Sequence, residues 1–420
     1  MRLVCLVILP LLLAANVGWV VAEPLRLDLA EAERLLAANR DILAAQRALE
    51  AAQAGVTIAG QAPNPTVSYS NANISPMLGV GGGRLADKRF DQFLGVSQLI
   101  ERGDKRELRR GGAEAALTAA GADLADTRRQ QRLMLHQAFY DLKAAQDKAG
   151  LMTETAELYS RSQAAADLRL KAGDIAAVDA SRQRVELLRA RNDERAAQAD
   201  LVRARQSLAY LIGATARASD LVAESTWPAR MAAADGDMAL ERRADVRAAQ
   251  ARVEVARQGR ELARSLATRD VTVGAQIGRT LGYSSYMPGV NYGVSVSVPL
   301  FVRYAYQGEI AQAETAYTAA LEAAETTTIQ ARQEIDRTRA DLAAAADRWR
   351  RAEEESLPEA RRVAEAAEFA YRKGALSLTD LLDARRTLRA LELEALATRA
   401  DYAKAHAAWL AATEWEIVER

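Results

Sequence analysis

The sequence holds 420 residues, with 56 Lys+Arg against 56 Asp+Glu, half of them apolar but only 5% aromatic, and with one cysteine and two histidines. Zero formal charge excludes the clustered basic surface that nucleic acid requires, and five Trp, 12 Tyr and five Phe exclude a large core built on aromatic bulk. Abundant Ala, Leu, Arg and Glu with nine prolines read instead as long helices packed side by side.

Residues 1–22 read as a secretory signal peptide: Arg2 gives a positive start, Leu3 to Leu13 an apolar run, and Val20-Val21-Ala22 the small residues before a cleavage point. Its loss takes away Cys5, so disulfides, thiolate metal sites and a lipid-anchored cysteine are excluded from the mature chain. No apolar run of 18 residues follows Glu23, which excludes a transmembrane helix. The exported chain is then periplasmic, secreted, or an outer-membrane β-barrel.

A short helix is expected from Pro24 to Ala62, followed by two strands near 66–73 and 90–99 on either side of Gly79, Gly81, Gly82 and Gly83. No proline lies between Pro76 and Pro228, and an internal proline costs a helix roughly 3 kcal/mol, so 104–213 is helical with a turn at Gly173. The stretch 214–236, with Pro228, is a linker. A second short helix, Asp237 to Arg269, leads to the clearest strands, near 270–279 and 290–299. There Val271, Val273, Ala275 and Ile277 alternate with small polar residues, as do Tyr292, Val294 and Val296. Alternation of period two marks one apolar and one polar face. A loop is expected between them, from Leu281 to Gly289. Another long helix follows, with Pro358 as its expected kink, then a turn at Gly374 and a returning helix. Leu381, Leu388, Ala395, Tyr402 and Trp409, each seven apart, form a coiled-coil seam there.

The two halves repeat. Thr66 matches Thr272, Gly95-Val96-Ser97 matches Gly293-Val294-Ser295, Gly173 matches Gly374 and Asp179 matches Asp380, at offsets near 200 residues. The chain thus divides into a signal at 1–22, a first repeat at 23–213, a linker at 214–236 and a second repeat at 237–420. Each long helix is roughly 100 Å at 1.5 Å per residue. The fold class is mainly α with a small β part, four strands per chain. Four strands cannot close a barrel, and open edges are not tolerated in lipid. Three chains give about twelve strands, wide enough to conduct, continued by a tube of helices.

The duplicated strands, the long helices and the run Tyr371-Arg-Lys-Gly374-Ala-Leu-Ser-Leu-Thr-Asp380-Leu-Leu-Asp383 resemble the TolC-type outer-membrane efflux proteins. The resemblance implies a homotrimer in outer-membrane lipid, with a long periplasmic extension. Its partners would be a periplasmic membrane-fusion adaptor and an inner-membrane RND-type pump, with no cofactor, no catalysis and no nucleic acid. It also implies a periplasmic gate at Asp380, Asp383, Asp179 and Tyr371, and adaptor contacts at the tips around Leu170, Gly173, Ile175, Gly374 and Leu376. Leu376 stands where the best-known member has an arginine that locks the closed state. Val271, Val273, Ile277, Tyr292, Val294 and Val296 are the expected lipid-facing residues. Asp380 reads equally as a cap, since Ser377-Leu-Thr-Asp380 is a capping box; Asp383 and Asp179 also read as ordinary first-turn acids, and Tyr371 as a seam residue. His136 and His406 read as packing or surface residues, and Glu353-Glu354-Glu355 as a solvated face. The chain further resembles the heavy-metal branch, whose pumps export cobalt, nickel, zinc or cadmium. Drug or solvent efflux and type I secretion are the alternatives within the family, and a periplasmic coiled-coil adaptor or scaffold is the alternative from another class.

Overall fold

The structure, a computed structural model, describes residues 25–77, 79–231, 240–280 and 289–413. The expected signal peptide, the loop from Leu281 and the segment around Trp415 lie outside the described residues. In chain order the elements are β1 (Leu25–Leu27), α1 (Leu29–Leu36), α2 (Arg40–Ala59), β2 (Thr66–Ala72), β3 (Asp91–Ile100), α3 (Lys105–Ala172), α4 (Ala177–Leu211) and β4 (Leu221–Ala223). They continue with α5 (Ala244–Ser265), β5 (Val271–Thr280), β6 (Gly289–Ser297), α6 (Gln307–Arg351), α7 (Leu357–Arg372) and α8 (Leu378–Thr413). The fold is mainly helical with a small strand part.

Three expectations change in detail. The single short helix from Pro24 is a strand and two helices, because Asn39 restarts the helix. Its side-chain oxygen accepts from the backbone N–H groups of Asp41 and Ile42. Six strands, not four, occur among the described residues, since β1 and β4 pair in parallel, with Leu25 opposite Leu221 and Leu27 opposite Ala223. The second long helix is not uniform. Between α6 and α7 the turn Ala352–Ser356 is a π-helix, in which Leu357 N–H donates to Ala352 C=O five residues back. Pro358 follows at once; it lacks an N–H and its ring crowds the preceding turn, and a π-turn absorbs that misfit without ending the helix.

The chain forms two compact units. The first comprises residues up to Ala32 together with Asp141–Thr226. In it Leu27, Leu221 and Ala223 are buried in the small parallel sheet, and Gln146 Oε1 accepts from Ala223 N–H at 2.8 Å. Helix α4 is tied to the later part of α3 by Lys148–Asp200 at 2.9 Å and Arg184–Asp167 at 3.5 Å.

The second unit comprises Glu33–Tyr140 and the chain from Trp227 onward. Its core is a seam of small and aromatic residues, in which Leu342, Ala345 and Tyr402 are buried with Trp349 and Trp409 packed against them, and Ala352, Leu357 and Ala395 meet Leu388. Alanine lets the helices approach closely, and the larger residues at seven-residue spacing fill the space between them. Arg243, buried to 2% exposure, closes the end of α8 by donating to Ala412 C=O at 2.9 Å. Burial opposes its charge, but the hydrogen bonds it donates to Asp245 and Glu334 outweigh that and raise its pKa. A cation at a helix C-terminus also answers the negative end of the helix dipole.

Candidate functional site: a two-faced sheet and two helical tips

Strands β2, β3, β5 and β6 form one antiparallel sheet in the order β2-β3-β5-β6. Directly opposed residues in such a sheet share a face, so the register sorts every side chain. Val67 pairs with Val96, Tyr69 with Leu94, Val96 with Ala275, Leu94 with Ile277, Val273 with Val296, Ala275 with Val294, and Ile277 with Tyr292. The middle rows of this face are therefore apolar from edge to edge, with Asn71, Gln92 and Arg279 at one end of it and Gln98 near the other. Val271 joins it opposite Ile100. All six strand residues singled out in the sequence lie on this face, and Tyr292 and Val294 are 80% and 82% exposed.

The other face carries Thr66, Ser68, Ser70, Gly95, Ser97, Gly274, Gln276, Gly278, Gly293 and Ser295. Phe93 is its one aromatic exception. A Cβ added to Gly278 would overlap Phe93 Cδ1 and Cε1, so the ring lies flat across the glycine. Strand β2 ends at Ala72, and Asn73, with a φ of 56°, turns the chain out of the ladder. The outer edges of β2 and β6 have no strand partner among the described residues. A sheet with an apolar face this exposed and two free edges is an incomplete object, since such edges invite pairing with another chain.

The two helical tips are copies of each other. At the first, Gly173 N–H donates to Leu170 C=O and Asp174 N–H to Arg169 C=O. At the second, Gly374 N–H donates to Tyr371 C=O and Ala375 N–H to Ala370 C=O. Both are Schellman closures with glycine in the left-handed region, φ 81° and 75°. Behind each turn an acid on the outgoing helix meets an arginine on the returning one, Asp167 with Arg184 at 3.5 Å and Glu368 with Arg385 at 3.4 Å. Sequence reasoning missed these two ion pairs, although their equal offset, the same as between Gly173 and Gly374, was there to be found.

The residues singled out at the tips differ between the copies. Ser377 Oγ accepts from Asp380 N–H at 3.2 Å and donates its hydroxyl to Asp380 Oδ2 at 2.7 Å. Asp380 thus answers the serine hydroxyl rather than the serine backbone. Asp380 and Asp383 are both exposed, and Tyr371 and Leu376 are half-buried. In the first tip Ala176 caps α4 without a side-chain hydrogen bond, Leu170 and Ile175 are half-buried, and Asp179 pairs with Arg182 at 3.4 Å. Arg182 occupies the place of Asp383 in the other repeat.

The acidic run at the π-turn is not simply solvated. Glu353 pairs with Arg399 at 2.6 Å, Glu354 with Arg230, and Glu355 with Arg350 at 2.6 Å. Arg230 and Arg399 also lie over the Trp349 ring, 5.3 and 5.9 Å from its centre. Tyr402 OH donates to Ala229 C=O at 3.0 Å and accepts from Met231 N–H at 2.8 Å, which fixes the end of the linker against α8. His136 Nε2 donates to Glu33 Oε1 at 2.5 Å, beside Arg132, which donates to the same oxygen at 2.7 Å. His406 stacks between Tyr402 and Trp409. Among the described residues no group of three or more His, Cys, Asp or Glu is arranged to hold a metal ion, and no helix is long and apolar enough to cross a membrane.

Comparison with known proteins agrees with this geometry. The chain is 28% identical over 382 residues to the cobalt-zinc-cadmium resistance protein CzcC of Cupriavidus metallidurans, covering 87% of this chain and 84% of that protein. Its fold is that of the outer membrane protein VceC of Vibrio cholerae, with a TM-score of 0.74 at 19% identity over 92% of this chain and 97% of that one. It is also that of the CmeC outer membrane channel of Campylobacter jejuni, with a TM-score of 0.75 at 17% identity over 93% and 87%. The family profile "outer membrane efflux protein" matches residues 32–214 and 236–413, so the chain belongs to the outer membrane efflux protein family and is a protein of the cell outer membrane.

Proposed function

We propose that three copies of this chain form one passive duct that carries divalent heavy-metal cations outward from a periplasmic adaptor and an inner-membrane pump. The observation that carries the duct is the sheet, which has a continuous apolar face, a face of glycine, serine and threonine, and two free edges. Joining edge β6 to edge β2 of the next copy removes the unpaired backbone groups that lipid does not tolerate. Three such sheets reach about twelve strands, and the small polar residues then line a water-filled interior. Family membership leaves the adaptor or scaffold alternative without support.

The gate in this reading is acidic. The second tip presents Asp380 and Asp383 exposed, whereas in the first tip Arg182 neutralises Asp179. In a trimer Asp380 and Asp383 form two carboxylate rings at a narrow mouth, and such rings favour cations. Tyr371 packs beside them, and the adaptor meets the turns at Leu170, Gly173, Ile175, Gly374 and Leu376. The duct itself performs no chemistry; the pump supplies the energy.

Metal cations are favoured over drugs, solvents or secreted proteins by the likeness to the cobalt-zinc-cadmium resistance protein over 87% of the chain. Growth of a deletion strain on cobalt, nickel, zinc and cadmium beside a drug and solvent panel tests this. Loss of metal tolerance restored by the gene is expected; unchanged metal tolerance with lost drug tolerance rejects the substrate and leaves the duct.

A further inference from the structure

The apolar stripe of β6 does not stop where the strand stops. Val290, Tyr292, Val294 and Val296 lie on the apolar face, and the ladder ends at Ser297. The even-numbered residues nonetheless remain apolar through Val298, Leu300, Val302 and Tyr304, which are 40%, 71%, 86% and 51% exposed. The first repeat has nothing like this. Its strand β3 stays paired to Ile100, and its exit is pinned by ions: Arg109 with Glu101, and Lys105 with Asp270 at 2.7 Å. The strap after β6 is held by rings instead. Phe301 meets Tyr306 edge-on at 5.3 Å, and Tyr304 OH donates to Glu309 Oε2 at 2.5 Å. Arg303 and Arg269 are exposed beside it, with Arg269 over the Phe301 ring at 5.4 Å. Neither arginine makes an ion pair among the described residues.

Two constraints fix the depth of this strap. Backbone groups outside a ladder do not enter hydrocarbon, because each unmet donor or acceptor costs several kcal/mol. Contiguous apolar side chains as exposed as these mark a surface that something covers. The headgroup layer satisfies both, since tyrosine sits there with its ring in apolar surroundings and its hydroxyl in water, and a guanidinium there meets phosphate through paired N–H donors. We propose that Val298–Tyr304 is an interfacial strap lying among phospholipid headgroups, with Arg269 and Arg303 binding the phosphate of an anionic phospholipid. This rests on the apolar face of the sheet being lipid-facing. Pro299, without an N–H, has one fewer group to satisfy there.

The test uses the full chain carrying Cys5→Ser, with Val294→Cys or Val302→Cys labelled by a nitroxide, in vesicles of phosphatidylethanolamine and phosphatidylglycerol. At 294 the label should collide with oxygen and be shielded from a water-soluble nickel chelate. At 302 the ratio of oxygen to nickel collisions should fall between that at 294 and that of free label in buffer. A ratio at 302 equal to free label puts the strap in water and overturns the inference, and shielding from both reagents overturns it in favour of a covering second copy. A label at 294 that behaves as in buffer instead removes the lipid-facing reading itself. Spin-labelled phosphatidylglycerol should associate in preference to phosphatidylcholine by about fivefold per arginine, a preference lost in Arg269→Gln with Arg303→Gln. Equal preference in both proteins overturns the phosphate contact.

Discussion

Phe93 lies flat across Gly278 on the small-residue face of the sheet, in a space that a single Cβ would close. The two residues sit opposite each other in the β3–β5 register. The glycine therefore keeps the one aromatic ring of that face down against the strands rather than standing out from them, the pairing by which an aromatic shields a bare strand glycine.

A valine at 278 is expected to lift that ring into the interior of the duct. Overpacking of this kind costs about 1–3 kcal/mol, and the lifted ring narrows the passage. Single-channel recordings should show lower conductance for Gly278→Val, restored when Phe93→Ala is added. Unchanged conductance in Gly278→Val would mean that this face does not line the conducting path.

The tip acids give a second expectation. Asp380→Asn with Asp383→Asn should weaken the preference for cations over anions, read from reversal potentials under a salt gradient. Asp380→Asn alone also loses the charge that answers Ser377 at the start of α8, worth about 0.3–1 kcal/mol for an acid in the first turn of a helix. A double variant with full cation preference and lowered stability assigns both acids to capping.

Tyr402 is fully buried and bonds both Ala229 C=O and Met231 N–H. Tyr402→Phe leaves a donor and an acceptor of the linker unmet, at a cost of about 1–3 kcal/mol. Thermal unfolding of the purified protein should show a lower Tm with secondary structure intact. An unchanged Tm would mean that water replaces the hydroxyl there.

Stability should also depend on pH through Glu33. Burial works against its carboxylate, but hydrogen bonds from His136 and Arg132 outweigh that and hold its pKa below the ordinary 4.5. A depressed folded pKa contributes stability above the unfolded value and loses it as pH falls through the folded value. Glu33→Gln should therefore unfold more readily at pH 7, and its stability should fall less steeply than that of the parent below about pH 4.5. Equal acid slopes in denaturant titrations of the two proteins contradict this.

Much of the architecture was legible because it is written in local periodicity. Alternation along Val271–Ile277 and Tyr292–Val296 marks two strands by itself, and seven-residue spacing from Leu381 to Trp409 marks the seam where Tyr402 is buried. The tips were legible because glycine in the left-handed region leaves a sequence mark. What escaped is non-local. Strands β1 and β4 have three residues each, too few to show a period, and pair across nearly half the chain. Glu353 and Glu354 look like a solvated run because their arginines come from 46 and 124 residues away. Pro358 marked a disturbance in the helix, but a proline alone does not say whether the backbone kinks or widens into a π-turn. The role of Arg182 opposite Asp179 needed the two repeats aligned at the tips.

On this reading the open four-stranded sheet closes only with two further copies, into a conducting barrel. Native mass spectrometry of the purified detergent-solubilised protein, followed by fusion of the same sample into planar bilayers, decides this. A species of three chains that conducts ions in discrete steps is expected. A single chain, or a three-chain species that leaves the bilayer silent under a wide range of voltages and with the tip acids removed, would contradict it.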